Sequence, residues 1–366
     1  MRKFAIKIQF MTPRFHALKI SDVRKESEDT VSIAFDIPAS IKDNYSFLAG
    51  QYLTLKATIN GEDIRRSYSL CAAPHEQEWR VAIKQVENGI FSSYANNILK
   101  REDTLDVMTP TGNFCLHPDK NAQKNYVLFA AGSGITPILS ILKTVLHEED
   151  ESSVTLFFGN KNFNSILFRE ELEALKNRFM DRLRVIHILS RESLGNAIQK
   201  GRIGKEKCSA LYHAFLANEK IDGVYVCGPE EMILGVKDSM LENGVAKENI
   251  HFELFTAPGS SKTAVKSKSS EENIASNVSI ILDGDVIDLA LNSSGETILD
   301  AALKAGADLP FACKGGVCCT CKARILEGSA SMDVNYALEK EEVEAGYILT
   351  CQAHPTSEKL IVSFDD

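Results

Sequence analysis

The pattern of apolar and polar positions changes character twice along the chain. Between residues 15 and 118, short β-rich runs at 30–35, 51–56, 79–86 and 104–108 are separated by turn pairs such as Asn60-Gly61 and Asn88-Gly89. This predicts antiparallel strands joined by tight turns. One amphipathic helix is predicted near 91–99, and a small β-barrel is the natural closure because it leaves no open sheet edge. From 119 to 256 apolar strands are predicted at 126–131, 154–158, 183–189, 223–227 and 251–255. Between them Ile138, Ile141, Leu142, Val145 and Leu146 recur at helical spacing, and 168–179 and 230–241 are further helical candidates. Alternating strands and helices give a parallel, doubly wound α/β sheet.

Residues 257–273 lose all periodicity and are rich in Ser and Lys, with Pro258-Gly259 just inside the stretch. They are predicted to be a flexible linker with a reach of about 21–25 Å. The last segment, 274–366, predicts a small α+β domain. Its strands are expected at 278–282, 286–291 and 360–364, with a helix at 297–305 and a cysteine-rich loop between. There is no internal repeat. The chain is therefore read as multidomain.

Composition adds a sign to this division. The net charge is −9, and residues 274–366 alone hold 15 Asp and Glu against 6 Lys and Arg, so the remainder is neutral. An acidic terminal domain disfavours nucleic acid and favours a protein partner with a basic docking patch, unless the charges merely solvate a surface. No apolar run approaches a membrane span. The first residues lack a sustained apolar core and a small-residue cleavage site, so no signal peptide is expected; Met11 is a candidate alternative start.

Four of the nine cysteines crowd into residues 313–321. Such bunching suits metal ligation better than a disulfide framework and points to a reducing, cytoplasmic setting. The pattern Cys313-x4-Cys318-x2-Cys321, followed after 29 residues by Cys351, has the spacing of plant-type [2Fe–2S] ferredoxins. Three thiolates would come from one tight loop and the fourth from a distant segment. Gly315 and Gly316 would let backbone N–H groups approach the sulfurs. Cys318-x2-Cys321 alone would also serve half a zinc site or a redox dithiol, but zinc usually wants a second paired knuckle, and none lies near Cys351. Cys319 is an extra thiol in the loop, a packed spectator or an exchangeable ligand.

Arg65-Arg66-Ser67-Tyr68-Ser69-Leu70 occupies a strand position, followed by Val81-Ala82-Ile83-Lys84 and Gly89-Ile90-Phe91-Ser92. A flavin needs a flat aromatic, a hydroxyl near its reactive nitrogen and donors for its phosphates, which Tyr68, Ser69 and Arg66 could supply. Taken alone, Tyr68 reads equally as a strand core residue. Gly89 and Ser92 open a helix whose N-terminus favours a pyrophosphate.

Further along, Ala131-Gly132-Ser133-Gly134-Ile135-Thr136-Pro137 follows a strand and opens a helix, as does Val226-Cys227-Gly228-Pro229-Glu230. Such turns, at the carboxyl ends of parallel strands, are where nucleotides bind. Without further context Cys227 is a buried small hydrophobe. Ser190-Arg191 ends a third strand, where an arginine either pairs with a 2′-phosphate or simply faces water.

R-x-Y-S, V-x-x-K, G-x-x-S and the two glycine turns occur in the order found in the ferredoxin–NADP reductase superfamily, which residues 15–256 resemble. That resemblance implies FAD, with Arg66 at its phosphates, Tyr68 against its ring and Ser69 near its reactive nitrogen, and Lys84, Gly89 and Ser92 in the same site. It implies a nicotinamide nucleotide held by Gly132, Gly134, Thr136, Pro137, Ser190, Arg191, Gly228 and Pro229, with Cys227 beside the nicotinamide. Ser69 and Cys227 are thus the catalytic candidates. The Ser190-Arg191 pair resembles that of NADPH-selective members, with NADH the alternative.

With the ferredoxin segment placed last, and with residues 332–338 and 342–355, the whole chain resembles the reductases of multicomponent oxygenases. Within them it is most similar to those serving a separate di-iron enzyme that epoxidises the ring of an aromatic coenzyme A thioester. In these systems electrons pass from NADPH to FAD, to the [2Fe–2S] cluster, and on to the oxygenase. The flavin reconciles a two-electron donor with a one-electron acceptor. The reductase of a different oxygenase is the nearest alternative, and a redox-sensing regulator is a remote one. Cys319 departs from the small residue expected at its position.

Overall fold

The computed structural model describes residues 14–255 and 274–365, which belong to two compact units. The predicted linker and the candidate start at Met11 lie outside the described residues.

The first unit begins with six strands, β1 (Phe15–Ser27), β2 (Thr30–Asp36), β3 (Tyr52–Ile59), β4 (Glu62–Ser69), β5 (Trp79–Lys84) and β6 (Thr104–Met108). They form one antiparallel sheet in the order β4-β3-β6-β1-β2-β5. The β3–β4 hairpin turns on Asn60 and Gly61, both at positive φ, the conformation a two-residue hairpin loop demands. Leu70, just past β4, bridges Val81 of β5, which links the two outer strands at one point. The sheet encloses a core that includes Leu18, Ile33, Leu53, Val81 and Phe91. Phe91 comes from α1 (Ile90–Asn97), the helix predicted at 91–99.

The long β1 is not legible in the sequence pattern because only some of its residues are buried, and two bulges, at Ile20/Asp22 and Lys25/Ser27, break its alternation.

The same unit continues with β7 (Asn125–Ala131), β8 (Ser153–Asn160), β9 (Leu183–Leu189), β10 (Gly223–Gly228) and β11 (Ile250–Leu254), a parallel sheet in the order β11-β10-β7-β8-β9. Its helices are α2 (Ile135–Glu148), α3 (Arg169–Arg178), α4 (Lys205–Phe215) and α5 (Glu230–Glu242). One core joins residues of α2 and α3 to the sheet, and a second joins α4 and α5, so both faces are covered. This is why β7 reads as a continuous apolar run rather than an alternating one. The pattern does not predict helix α4: its buried residues are Cys208 and Leu211, too few to signal a period.

The two sheets share packing. Ala49, Cys71, Phe114 and Leu116 of the first module belong to the same core as α2. Ser140 Oγ donates to the Ala72 carbonyl at 2.7 Å, and Lys143 pairs with Glu76 at 2.7 Å. This common core fixes β4 against β10 and β11.

The second unit contains β12 (Ala275–Leu282), β13 (Asp285–Asn292), α6 (Ile298–Lys304), β14 (Lys322–Glu327), β15 (Ala330–Met332), α7 (Lys340–Glu344), β16 (Tyr347–Leu349), β17 (Ala353–Pro355) and β18 (Lys359–Ser363). Five of its strands form a mixed sheet ordered β13-β12-β18-β14-β16, while β15 and β17 pair separately. Helix α6 packs Ile298, Leu299 and Ala302 into the core, and Thr297 caps it by accepting the Asp300 N–H at 3.2 Å. Strands β14 to β17 are three to six residues each, and segments this short carry too little periodic signal to be predicted.

Candidate functional site

Arg66 and Tyr68 are two residues apart on β4 and so share a face. Tyr68 lies 5.8 Å from the Phe91 ring, and burial raises the pKa of its hydroxyl. The Arg66 guanidinium is steadied by Nη1 donating to the Arg65 carbonyl at 2.7 Å. Lys84, at the end of β5, is 3.4 Å from an Asp29 carboxylate oxygen. Gly89 precedes α1, and a Cβ there would collide with Ser92 Oγ at 2.4 Å. The Ser92 hydroxyl is occupied locally, accepting the Val86 N–H at 3.2 Å and donating to the Gly89 carbonyl.

Ser69 closes β4 and donates from Oγ to Glu253 Oε2 at 3.0 Å. Glu253 sits on β11, in register with Cys227 on β10. Burial lifts the Glu253 carboxyl from near 4.5 to about 8, with the Ser69 hydrogen bond opposing the rise. Cys227 is wholly buried, which, with Glu253 nearby, pushes its thiol up. A hydroxyl, a thiol and a proton-holding carboxyl therefore come together from β4, β10 and β11.

The two nucleotide turns meet at the same place. A Cβ on Gly134 would lie 2.2 Å from the Cys227 carbonyl oxygen, so only glycine permits this approach. Gly132, by contrast, faces open space at positive φ, which leaves room beside the first turn of α2 for a phosphate group. Thr136 is buried and donates to the Ser133 carbonyl at 3.0 Å, and Pro137 is the third residue of α2. Gly228 ends β10, and Pro229 precedes α5. Ser190 and Arg191 follow β9. The Ser190 hydroxyl donates to the Asn160 carbonyl at 3.3 Å, and the exposed Arg191 is anchored by its N–H to the Lys161 carbonyl. An aromatic, a guanidinium, a hydroxyl and open turns at helix N-termini fit a flavin and a dinucleotide. A cavity of 610 Å³, lined by residues including Glu26, Arg80, Lys143 and Glu171, contains none of these groups.

In the second unit all four predicted thiols converge, and none of the nine cysteines is in a disulfide. Cys318 Sγ is 3.1 Å from Cys313 Sγ, and Cys351 hydrogen-bonds to both Cys313 and Cys321. The Cys318 and Cys351 thiols stabilise the Cys313 thiolate, against burial, and Gly315 N–H donates to its sulfur at 3.3 Å. A single tetrahedral zinc would hold all four sulfurs mutually about 3.8 Å apart. The contacts instead link the sulfurs in the order Cys318–Cys313–Cys351–Cys321, a succession of neighbouring pairs that fits two irons. Gln352 donates to the Lys314 carbonyl at 3.0 Å and ties the segment that carries Cys351 to the loop. Cys319 donates to the Ala337 carbonyl at 3.3 Å, so its thiol has a partner outside the quartet.

Three family models match in succession: an oxidoreductase FAD-binding domain over residues 17–115, an oxidoreductase NAD-binding domain over 128–238, and a 2Fe-2S iron–sulfur cluster binding domain over 282–356. The chain is 41% identical over 351 residues to a subunit of the 1,2-phenylacetyl-CoA epoxidase of Escherichia coli, covering 96% of this chain and 98% of that one. The chain belongs to the family of phenylacetyl-CoA epoxidase reductase subunits. It is also 32% identical, over 95% of its length and 96% of the other's, to the ferredoxin reductase component of 3-ketosteroid-9-alpha-monooxygenase from Rhodococcus rhodochrous. Phthalate dioxygenase reductase shares the fold, with a TM-score of 0.58 at 24% identity over 95% of this chain and 98% of that one. As a member of the epoxidase reductase family the chain is an NAD(P)H-dependent oxidoreductase that moves electrons through FAD to a [2Fe–2S] cluster. Among the described residues no helix is long and apolar enough to cross a membrane.

Sequence reasoning missed Glu253. Its only signal was a carboxylate among the apolar residues of a predicted strand that also holds His251, and that strand had to be placed beside β10 before the residue acquired partners.

Proposed function

We propose that this chain is the reductase of a phenylacetyl-CoA epoxidase, accepting electrons from NADPH and delivering them to a separate di-iron oxygenase. The observation that carries this reading is end-to-end similarity, at 41% identity, to the Escherichia coli epoxidase subunit. The Ser190-Arg191 pair at the carboxyl end of β9 supports NADPH over NADH, since a guanidinium there can pair with a 2′-phosphate.

FAD supplies the exchange between two-electron and one-electron chemistry, and the cluster the one-electron relay. Arg66 and Lys84 would neutralise flavin phosphates, Gly89 and Ser92 would shape the adjoining turn, and Tyr68 would present its ring to the flavin. Ser69 would hold its hydroxyl toward the reacting nitrogen, with Glu253 behind it as the proton reservoir. Gly132, Gly134, Thr136, Pro137, Gly228 and Pro229 would form the nucleotide turns, and Cys227 would border the nicotinamide. Cys313, Cys318, Cys321 and Cys351 would ligate the irons.

In this reading residues 15–118 form the flavin domain, a barrel closed through the Leu70–Val81 bridge, and 119–256 form the nucleotide domain. Residues 257–273 are the linker, and 274–366 form a β-grasp ferredoxin domain. The protein works in the cytoplasm.

The test is NADPH consumption by the holoprotein mixed with phenylacetyl-CoA oxygenase, with and without phenylacetyl-CoA. Consumption that depends on the thioester and yields epoxide is expected. Reduction of flavin and cluster without epoxide would assign the chain to another oxygenase.

A further inference from the structure

His75, His147 and Glu148 take no part in the sites described above, yet one ligand atom from each lies within 4.8 Å of the other two. The imidazole rings stack with centroids 3.7 Å apart and planes only 7° from parallel. Glu148 Oε1 is 3.0 Å from His147 Nδ1. His75 comes from the short helical turn Pro74–Glu76 that follows β4, whereas His147 and Glu148 end α2, so the group spans the two modules of the first unit.

Several features favour a cation site over an incidental contact. His75 Nδ1 is shielded from solvent and has no hydrogen-bond partner among the described residues. Two imidazolium rings at this separation would repel, so the stack requires at least one neutral ring, the form that ligates metals. The carbonyls ending α2 add negative potential. Lys143, one turn earlier on α2, is neutralised by Glu76 at 2.7 Å and Glu171 at 2.9 Å.

We propose that His75, His147 and Glu148 form a binding site for a divalent transition metal of the zinc class that bridges the flavin and nucleotide modules. Two imidazole nitrogens and a carboxylate oxygen, completed by water, are a donor set that zinc accepts. A tetrahedral ion needs such donors about 3.3–3.5 Å apart. An imidazole binds an ion in its own ring plane, so ligation by both rings requires the exposed His147 ring to turn out of the stack.

The test is calorimetric titration of untagged holoprotein, carrying FAD and cluster, with zinc chloride. The wild type should bind one equivalent more than a His75→Ala/His147→Ala variant, and zinc should raise the melting temperature of the wild type alone. Glu148→Gln, which keeps the shape and removes the charge, should weaken binding by about tenfold or more, a loss of roughly 1.4 kcal/mol or more. Retention of FAD by each variant checks that it is folded. Equal zinc uptake by wild type and double variant would overturn the proposal, as would a wild type that shows neither binding heat nor a melting shift.

Discussion

The thiol quartet and the Ser69–Cys227–Glu253 cleft belong to one electron-transfer protein but are built in opposite ways. Three of the four thiols come from a nine-residue loop and the fourth is tied to it through Gln352, so nearly the whole site is local in sequence. The cleft is assembled from residues 69, 227 and 253, on three strands of two sheets, and exists only because the modules share a core. A local site fails when a ligand is lost. A distributed site fails also when the packing that aligns it shifts.

Substitutions can separate these two modes of failure. The largest effect is expected from Cys351→Ser, which should leave iron and acid-labile sulfide near zero while FAD content stays at the wild-type level; metal and flavin analysis of one sample checks both. In the cleft, Ser69→Ala should slow reduction by NADPH by about 10²-fold if its hydroxyl positions a proton. The same relay predicts a pH dependence. The Glu253 carboxyl is held at about 8, above its ordinary value near 4.5. The stability it contributes is complete below 4.5 and is lost as pH rises through about 8. Flavin reduction should therefore decline above about pH 8, and Glu253→Gln should flatten that decline while lowering the rate; stopped-flow traces across that pH would show it.

Gly134→Ala probes packing rather than chemistry. Its Cβ would sit 2.2 Å from a backbone oxygen, which forces the turns apart at a cost of about 1–3 kcal/mol. We expect a raised KM for NADPH with cluster content unchanged. The smallest effect is expected from Thr297→Ala, which removes the cap of α6 and should destabilise the second unit by about 1 kcal/mol in denaturant melts, leaving flavin reduction intact.

The same contrast explains what could be read from the sequence. The convergence of Cys313, Cys318, Cys321 and Cys351 was legible because three of them crowd into one short loop and the spacing to the fourth matches a known ligand pattern. The glycine turns were legible because a glycine-rich strand-to-helix turn is a local pattern, whereas the reason Gly134 must be glycine, its approach to the Cys227 carbonyl, is not local. Glu253 was not, because a lone acid in a predicted strand acquires meaning only when β11 is placed beside β10 and opposite β4. Among elements, β7 and α2 declared themselves through long apolar runs. β1, with its two bulges, and α4, with its few buried apolar residues, did not.

The central claim, that nicotinamide oxidation and cluster-dependent delivery are separate stations in series, is tested most directly in Cys318→Ser. NADPH-driven reduction of ferricyanide should stay near the wild-type rate, because the cleft is untouched, while transfer to the oxygenase should vanish. A parallel fall of both activities would contradict the account.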